Sequence, residues 1–209
     1  MKRAECIKII ASRLGNRTDL NDIIGLEMDL IQDTALEGTG AFLPWFLESD
    51  ELTLTATPNT EQITLPEGFL AEIEDHGFYL YDATQENPYT KLVKSDYDLM
   101  RAKYPVAGTP KEYNLSGNFL ILKPTPDAAV TVKFRCYKAA PKTAAENVWL
   151  KHAPDLVVSE VGKVVAETHL RNYQLAGVFG KEAADARLRL WTKHEARSHA
   201  NRRYGMGED

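Results

Sequence analysis

Cysteine is scarce: Cys6 and Cys136 are the only two in 209 residues and stand 130 positions apart. Small disulfide-stapled and zinc-clamped folds draw on closely spaced sets of thiols, so neither framework applies, and both side chains are expected as buried, reduced thiols. Long apolar runs are missing as well. The longest strongly apolar stretches, such as LVVSEVGKVVAETHL, are broken by Glu160, Lys163 and Glu167, far short of the ~20 apolar residues that cross a bilayer. The basic start MKRAE runs on to Lys8 and Arg13, not to an apolar block with a small-residue cleavage site. It reads as mature protein made in a cytoplasm, with no membrane partner.

Signatures of catalysis are equally thin. No G-x-G-x-x-G and no G-x-S-x-G occurs, which removes dinucleotide binding and the strained serine elbow of hydrolases. GVFGKEAAD lacks the spacing and the Ser/Thr of a phosphate loop and follows no strand, so Gly177 and Gly180 are expected to break a helix. In HEARSH, His194 and His199 are five apart. On a helix their rings diverge by about 140°, whereas the zinc-protease pattern needs a spacing of four. His76, His152 and His169 are isolated and read as surface or locally hydrogen-bonded groups. The acidic pairs in EIED, ESDE and DYD read as solvated, with nothing to support a glycosidase dyad. With no convergent nucleophile, base or ligand set, the chain is expected to be no enzyme and to need no cofactor or metal.

Charge, in contrast, is abundant and uneven. Residues 1–86 carry 17 acidic and 5 basic side chains, and residues 87–186 carry 10 and 14. Residues 187–207 carry six basic side chains against Glu195, although the whole chain is net −5. That polarity suggests different faces for different partners, copies of the chain included. In the basic end, Arg187, Arg189, Lys193, Arg197, Arg202 and Arg203 scatter round a helix with only Trp191 and Tyr204 as stacking rings. No nucleic-acid-binding signature accompanies them. A helix dipole favours a cation near its C-terminus by ~0.3–1 kcal/mol, enough to account for two or three of these residues. It does not account for a helix whose apolar content falls away after Trp191, and such a segment reads as one ordered by a partner.

Periodicity supplies the architecture. Ala4, Ile7, Ile10, Ala11 and Leu14 recur at helical spacing up to Gly15. A second helix is expected from the caps Thr18 or Asp19, with Leu20, Ile23, Ile24, Met28, Ile31 and Ala35 as its stripe and Gly38 and Gly40 at its close. FLPWFLES follows as a hydrophobic plug in which Pro44 prevents an uninterrupted helix. Leu52, Leu54 and Ala56 alternate with threonines, TPNT is turn chemistry and Ile63 and Leu65 alternate again, so a hairpin is expected. GFYLYD is another strand, and SDYDLMRAKYP a short helix capped by Ser95 or Asp96. KEYNLSGNFLILKPTPDAAVTVKFRCYKAA reads as a three-stranded antiparallel meander, with Thr131, Lys133, Arg135 and Tyr137 on its polar face. The linker APKTAAEN then returns the chain to helix, opened by Pro154 and Asp155.

These elements predict an α+β fold: a helical bundle from residues 1–48 and 148–190, an inserted antiparallel β domain over 49–147, and an extended C-terminal arm over 191–209. The order of LPWFL, ITLPEGFLAEIE, the 113–138 segment YNLSGNFLILKPTPDAAVTVKFRCYK, WLKHAPDLVVSEVGKVVAETHLRN and FGKEAADARLRLW resembles the head-to-tail adaptor proteins of short-tailed bacteriophages. Pro124, Thr125, Pro126 and Asp127, followed by Pro154 and Asp155, are the most specific part of the likeness.

The resemblance implies a virion structural protein at the neck, a homo-oligomeric ring of usually twelve copies that docks on the portal protein and carries the tail nozzle protein. Genomic DNA would pass through its lumen without sequence-specific binding. It also places portal docking on the arm, with Trp191, His194, Arg197, His199, Arg202, Arg203 and Tyr204 as candidate contacts. Two expectations follow: an acidic lumen along which DNA slides, and an arm that is mobile in the free subunit and ordered on the portal. Another virion neck or tail assembly protein, or a nucleic-acid-binding protein, are the alternative readings.

Overall fold

The computed structural model describes residues 1–73, 76–142 and 147–204, with side chains as far as residue 197. Part of the expected APKTAAEN linker, at residues 143–146, lies outside the described residues, as do the last five residues of the arm. The chain is α+β and forms two compact units, Met1–Leu47 with Ala140–Asp209, and Glu48–Ala139.

In the first unit, α1 (Arg3–Arg13) buries Cys6, Ile10 and Ala11 and stops where Gly15 takes φ +90°, a conformation that suits glycine. The expected cap for the second helix does not form. Asp19 is held by Arg17 at 2.6 and 2.8 Å instead, a bond that keeps its carboxyl below the ordinary value. Residues Thr18–Leu20 make a tight 3-10 turn before α2 (Asn21–Ile31) begins. α2 buries Ile24, Met28 and Ile31 and widens into a π turn at Gln32–Leu36.

Later in the chain come α4 (Val148–His152), α5 (Pro154–Thr168, with proline in its first turn) and α6 (Tyr173–Tyr204). Nine of the fifteen α5 residues are buried, as befits a helix covered on most sides, and α1, α2 and α6 all pack on it.

Gly177 and Gly180 do not interrupt α6, contrary to expectation. A glycine costs a helix only about 1 kcal/mol relative to alanine, and Phe179 between them is fully buried. The break lies earlier, at Arg171 with φ +49°, and the Asn172 side chain accepts the Leu175 N–H at 3.0 Å to open α6.

The second unit holds β1 (Leu52–Ala56), β2 (Gln62–Thr64), β3 (Phe69–Glu72), β4 (Phe78–Tyr81), β5 (Tyr89–Lys91), β6 (Val93–Lys94), α3 (Tyr97–Lys103), β7 (Glu112–Ser116), β8 (Phe119–Lys123), β9 (Val130–Phe134) and β10 (Cys136–Lys138). Sheets run β1-β9-β4-β5, β2-β8-β7-β6 and β10-β3. Phe78 stacks on Phe134 at 4.6 Å between ring centroids in their shared core. α3 is capped by Asp96, which accepts the Asp98 and Leu99 N–H groups.

Two expected pairings are replaced. β1 and β2 are not a hairpin: the TPNT turn forms, with Asn59 at φ +62°, but its N–H donates to Pro126 and the strands join different sheets. Nor is residues 112–138 a meander. β7 and β8 pair as expected, whereas β9 crosses to lie between β1 and β4. Pro124 and Pro126 have no N–H to extend the β8 ladder, and β9 sets Val132 and Phe134 opposite Leu54 and Leu52. Its alternation of buried Val132 and Phe134 with Thr131, Lys133 and Arg135 is as expected. Both cysteines are buried and free, and burial pushes the Cys6 thiol up to about 12.

Candidate docking surface

The π turn ends at Leu36, and after Pro44 the 3-10 turn Trp45–Leu47 presents a cluster of rings. Phe42 lies 4.7 Å from Trp191 and 5.1 Å from His194, centroid to centroid. Trp45 stacks on His194 at 6.4 Å and carries the Arg197 guanidinium 5.8 Å above it. Phe46 stacks on His152 at 5.0 Å and meets Trp149 edge-on at the same distance.

Below the rings lies a buried polar knot. Glu37 accepts the Trp149 indole N–H at 2.5 Å, the Gln32 amide at 3.1 Å and the Ala140 N–H at 3.2 Å. Asn147 donates to Gln32 at 2.6 Å and caps α4 through the Trp149 N–H. Desolvation pushes the Glu37 carboxyl above its usual range, with these donors acting against it.

Two hollows flank α6 here. An apolar groove of about 280 Å³ is lined by Ala35, Leu36, Phe42, Trp149, Leu156, Arg187, Leu188, Leu190 and Trp191. Arg187 is anchored by Glu160 at 2.7 Å. The other hollow, about 220 Å³, is bordered by His152, Arg189 and Lys193 as well as Asp155. α6 therefore separates an oily groove from a basic one.

Of the residues expected to dock, Trp191, His194 and Arg197 come together on Phe42 and Trp45. His199, Arg202, Arg203 and Tyr204 continue on the α6 backbone, their side chains outside the described set. The expectation that little beyond Trp191 packs on the chain itself is corrected. Apolar content misses ring faces and guanidinium planes, which pack on aromatics while remaining polar by type. The Nδ1 atom of His194 is buried and has no hydrogen-bond partner among the described residues. Leu188, Arg189, Phe42 and Trp45 were missed; the signal lay in FLPWFL and in Leu188 three residues before Trp191.

His152 offers a test of this cluster. Desolvation first, then Lys151 and Arg197, lower its pKa below the ordinary 6.5. A lowered base opposes folding when protonated, so the packing it supports is present above pH 6.5 and weakens as pH falls through that value. Histidine NMR titration is expected to place His152 below the ordinary 6.5, and Arg197→Ala is expected to raise it part of the way. An unmoved value in that variant would contradict the placement of Arg197.

A protein-family model described as SU10 adaptor protein matches residues 1–204. No curated protein matches the chain.

Proposed function

The chain belongs to the SU10 adaptor protein family, a family of phage adaptors, so it is a structural component of the virion neck, and we propose that it is the subunit of the head-to-tail adaptor ring. In this reading it docks on the portal protein, carries the tail nozzle and surrounds the channel through which genomic DNA leaves. Twelve copies and an acidic lumen belong to the same proposal. The family match over residues 1–204 carries it. The arrangement of α6 supports it: one 32-residue helix whose distal part brings Arg202, Arg203 and Tyr204 beyond the ring cluster. A basic helix end seeks an acidic partner surface, and charge at such a rim sets encounter rate and salt dependence.

Truncation must respect the packing of His194 and Arg197. A chain ending at Arg197 keeps both contacts, and in it portal binding is expected to weaken at least tenfold with an unchanged melting temperature. Arg202→Glu with Arg203→Glu in the full chain is expected to act the same way and to flatten the salt dependence. Affinity for portal rings equal to that of the intact chain, read by sedimentation or electron microscopy, would sink the assignment of this segment.

A further inference from the structure

α2 turns two large side chains away from α5. Leu26 is 71% and Leu30 55% exposed, while Ile24 and Met28 are buried on the opposite side. At a spacing of four the two leucines stand one above the other, about 6 Å apart along the axis, as a single apolar ridge. Asp22, four residues before Leu26, continues the row and has no ion-pair partner among the described residues. Such a ridge on a free subunit is the kind of surface that marks an interaction site.

The apolar groove on α6 is its complement. Leu188 at its lip is 66% exposed and Trp191 49%. Leu26 and Leu30 are not among the residues that line it, so one copy does not fill its own groove. Arg189 and Lys193, four apart on the neighbouring side of α6, border the basic hollow and have no ion-pair partner among the described residues.

We propose that the Asp22–Leu26–Leu30 ridge of one copy seats in the Leu188–Trp191 groove of the next, with Asp22 reaching Arg189 or Lys193. Ridge-into-groove contact between helices is ordinary packing geometry. Both halves lie on this chain, and an exposed apolar ridge led by an acidic residue complements an apolar groove bordered by basic ones, which favours a second copy over an unrelated occupant. Different patches of the two copies meet, so the contact is heterologous and repeats head to tail, closing into a ring when the rotation allows. The inference rests on the ring reading above and gives it a specific interface.

Crosslinking tests it, because both natural cysteines are buried. Leu26→Cys and Leu188→Cys chains, mixed and treated with a short bis-maleimide, are expected to give a crosslinked pair, and neither variant alone is expected to do so. A chain carrying both substitutions is expected to give a ladder. Leu188→Asp in a chain without added cysteines, at an exposed position, is expected to leave the melting temperature unchanged and to abolish ring assembly on portal seen by electron microscopy, and Leu26→Arg in that chain to restore it. Crosslinking of Leu188→Cys to itself would overturn the head-to-tail contact. Rings seen on portal without the mixed crosslink overturn this interface and leave the adaptor reading standing; the crosslink without any portal binding does the reverse.

Discussion

Replacing Glu37 by alanine is expected to lower folding stability by about 3–6 kcal/mol, because three buried donors lose their acceptor at once and each orphaned group costs roughly 1–3 kcal/mol. Trp149, 2% exposed, has nowhere else to send its indole N–H. Urea unfolding followed by tryptophan fluorescence reads the loss. Glu37→Ala with Trp149→Phe is expected to cost less than the sum of the single changes, since donor and acceptor leave together. Additive costs would mean that the bond is not the source of the effect.

The same residue sets a pH dependence of unusual sign. Its carboxyl is raised by desolvation from an ordinary 4.5, so the folded state binds its proton more tightly than the unfolded chain does. Stability is then highest below 4.5 as far as Glu37 alone is concerned, and is lost as pH rises through the raised value. Glu112 and Asp82 act the opposite way, held below 4.5 and 3.8 by hydrogen bonds, chiefly from Lys103 and from Thr84. Glu37→Gln is expected to remove the first trend and leave the second. A wild-type and a Glu37→Gln profile that coincide between pH 4 and 7 would refute the assignment.

Gly162→Ala is the second large effect expected. A methyl group on Gly162 would stand 2.6–2.8 Å from three atoms of the Phe179 ring, and that ring has no room to retreat. It is fully buried, and the Arg13 guanidinium covers it at 4.5 Å. Overpacking of this kind costs about 1–3 kcal/mol, and the α5–α6 seam lies at the upper end because both helices are long and rigid there. Phe179→Leu alone opens space and is expected to cost about 1–2 kcal/mol. In combination the two are expected to be less damaging than their sum by at least ~1 kcal/mol, the mark of directly touching sites. Thermal melts of the four chains test this, and strict additivity would place the clash elsewhere.

Local rules read most of the elements correctly in the sequence. Gly15 ended α1, Asp96 capped α3 and Pro154 opened α5, each acting within a turn of its own backbone. Pairing was another matter. Val130 to Phe134 announced a strand, but nothing within a few residues of Pro124 says that its neighbours are β1 and β4, a choice made by cores far apart in sequence. The glycines of α6 misled for a related reason: an isolated helix would feel Gly177 and Gly180, whereas packing of Phe179 on Gly162 outweighs them. At the candidate surface, Trp191, His194 and Arg197 stood out by residue type. Their seats, Phe42 and Trp45, stood in a conspicuous hydrophobic plug with no local sign of what it would hold.

The continuity of α6 has a mechanical side. Its 32 residues span about 48 Å at 1.5 Å per residue, with no proline and no kink site beyond Gly180. Leu190 is its last buried residue among those whose side chains are described, leaving about 21 Å of helix from there to Tyr204. A pull or twist applied to Arg202 or Tyr204 is not absorbed by a joint. It travels down a stiff rod to the Phe179–Gly162 contact and the Arg187–Glu160 pair, so whatever grips the far end of the helix also loads the seam between α5 and α6.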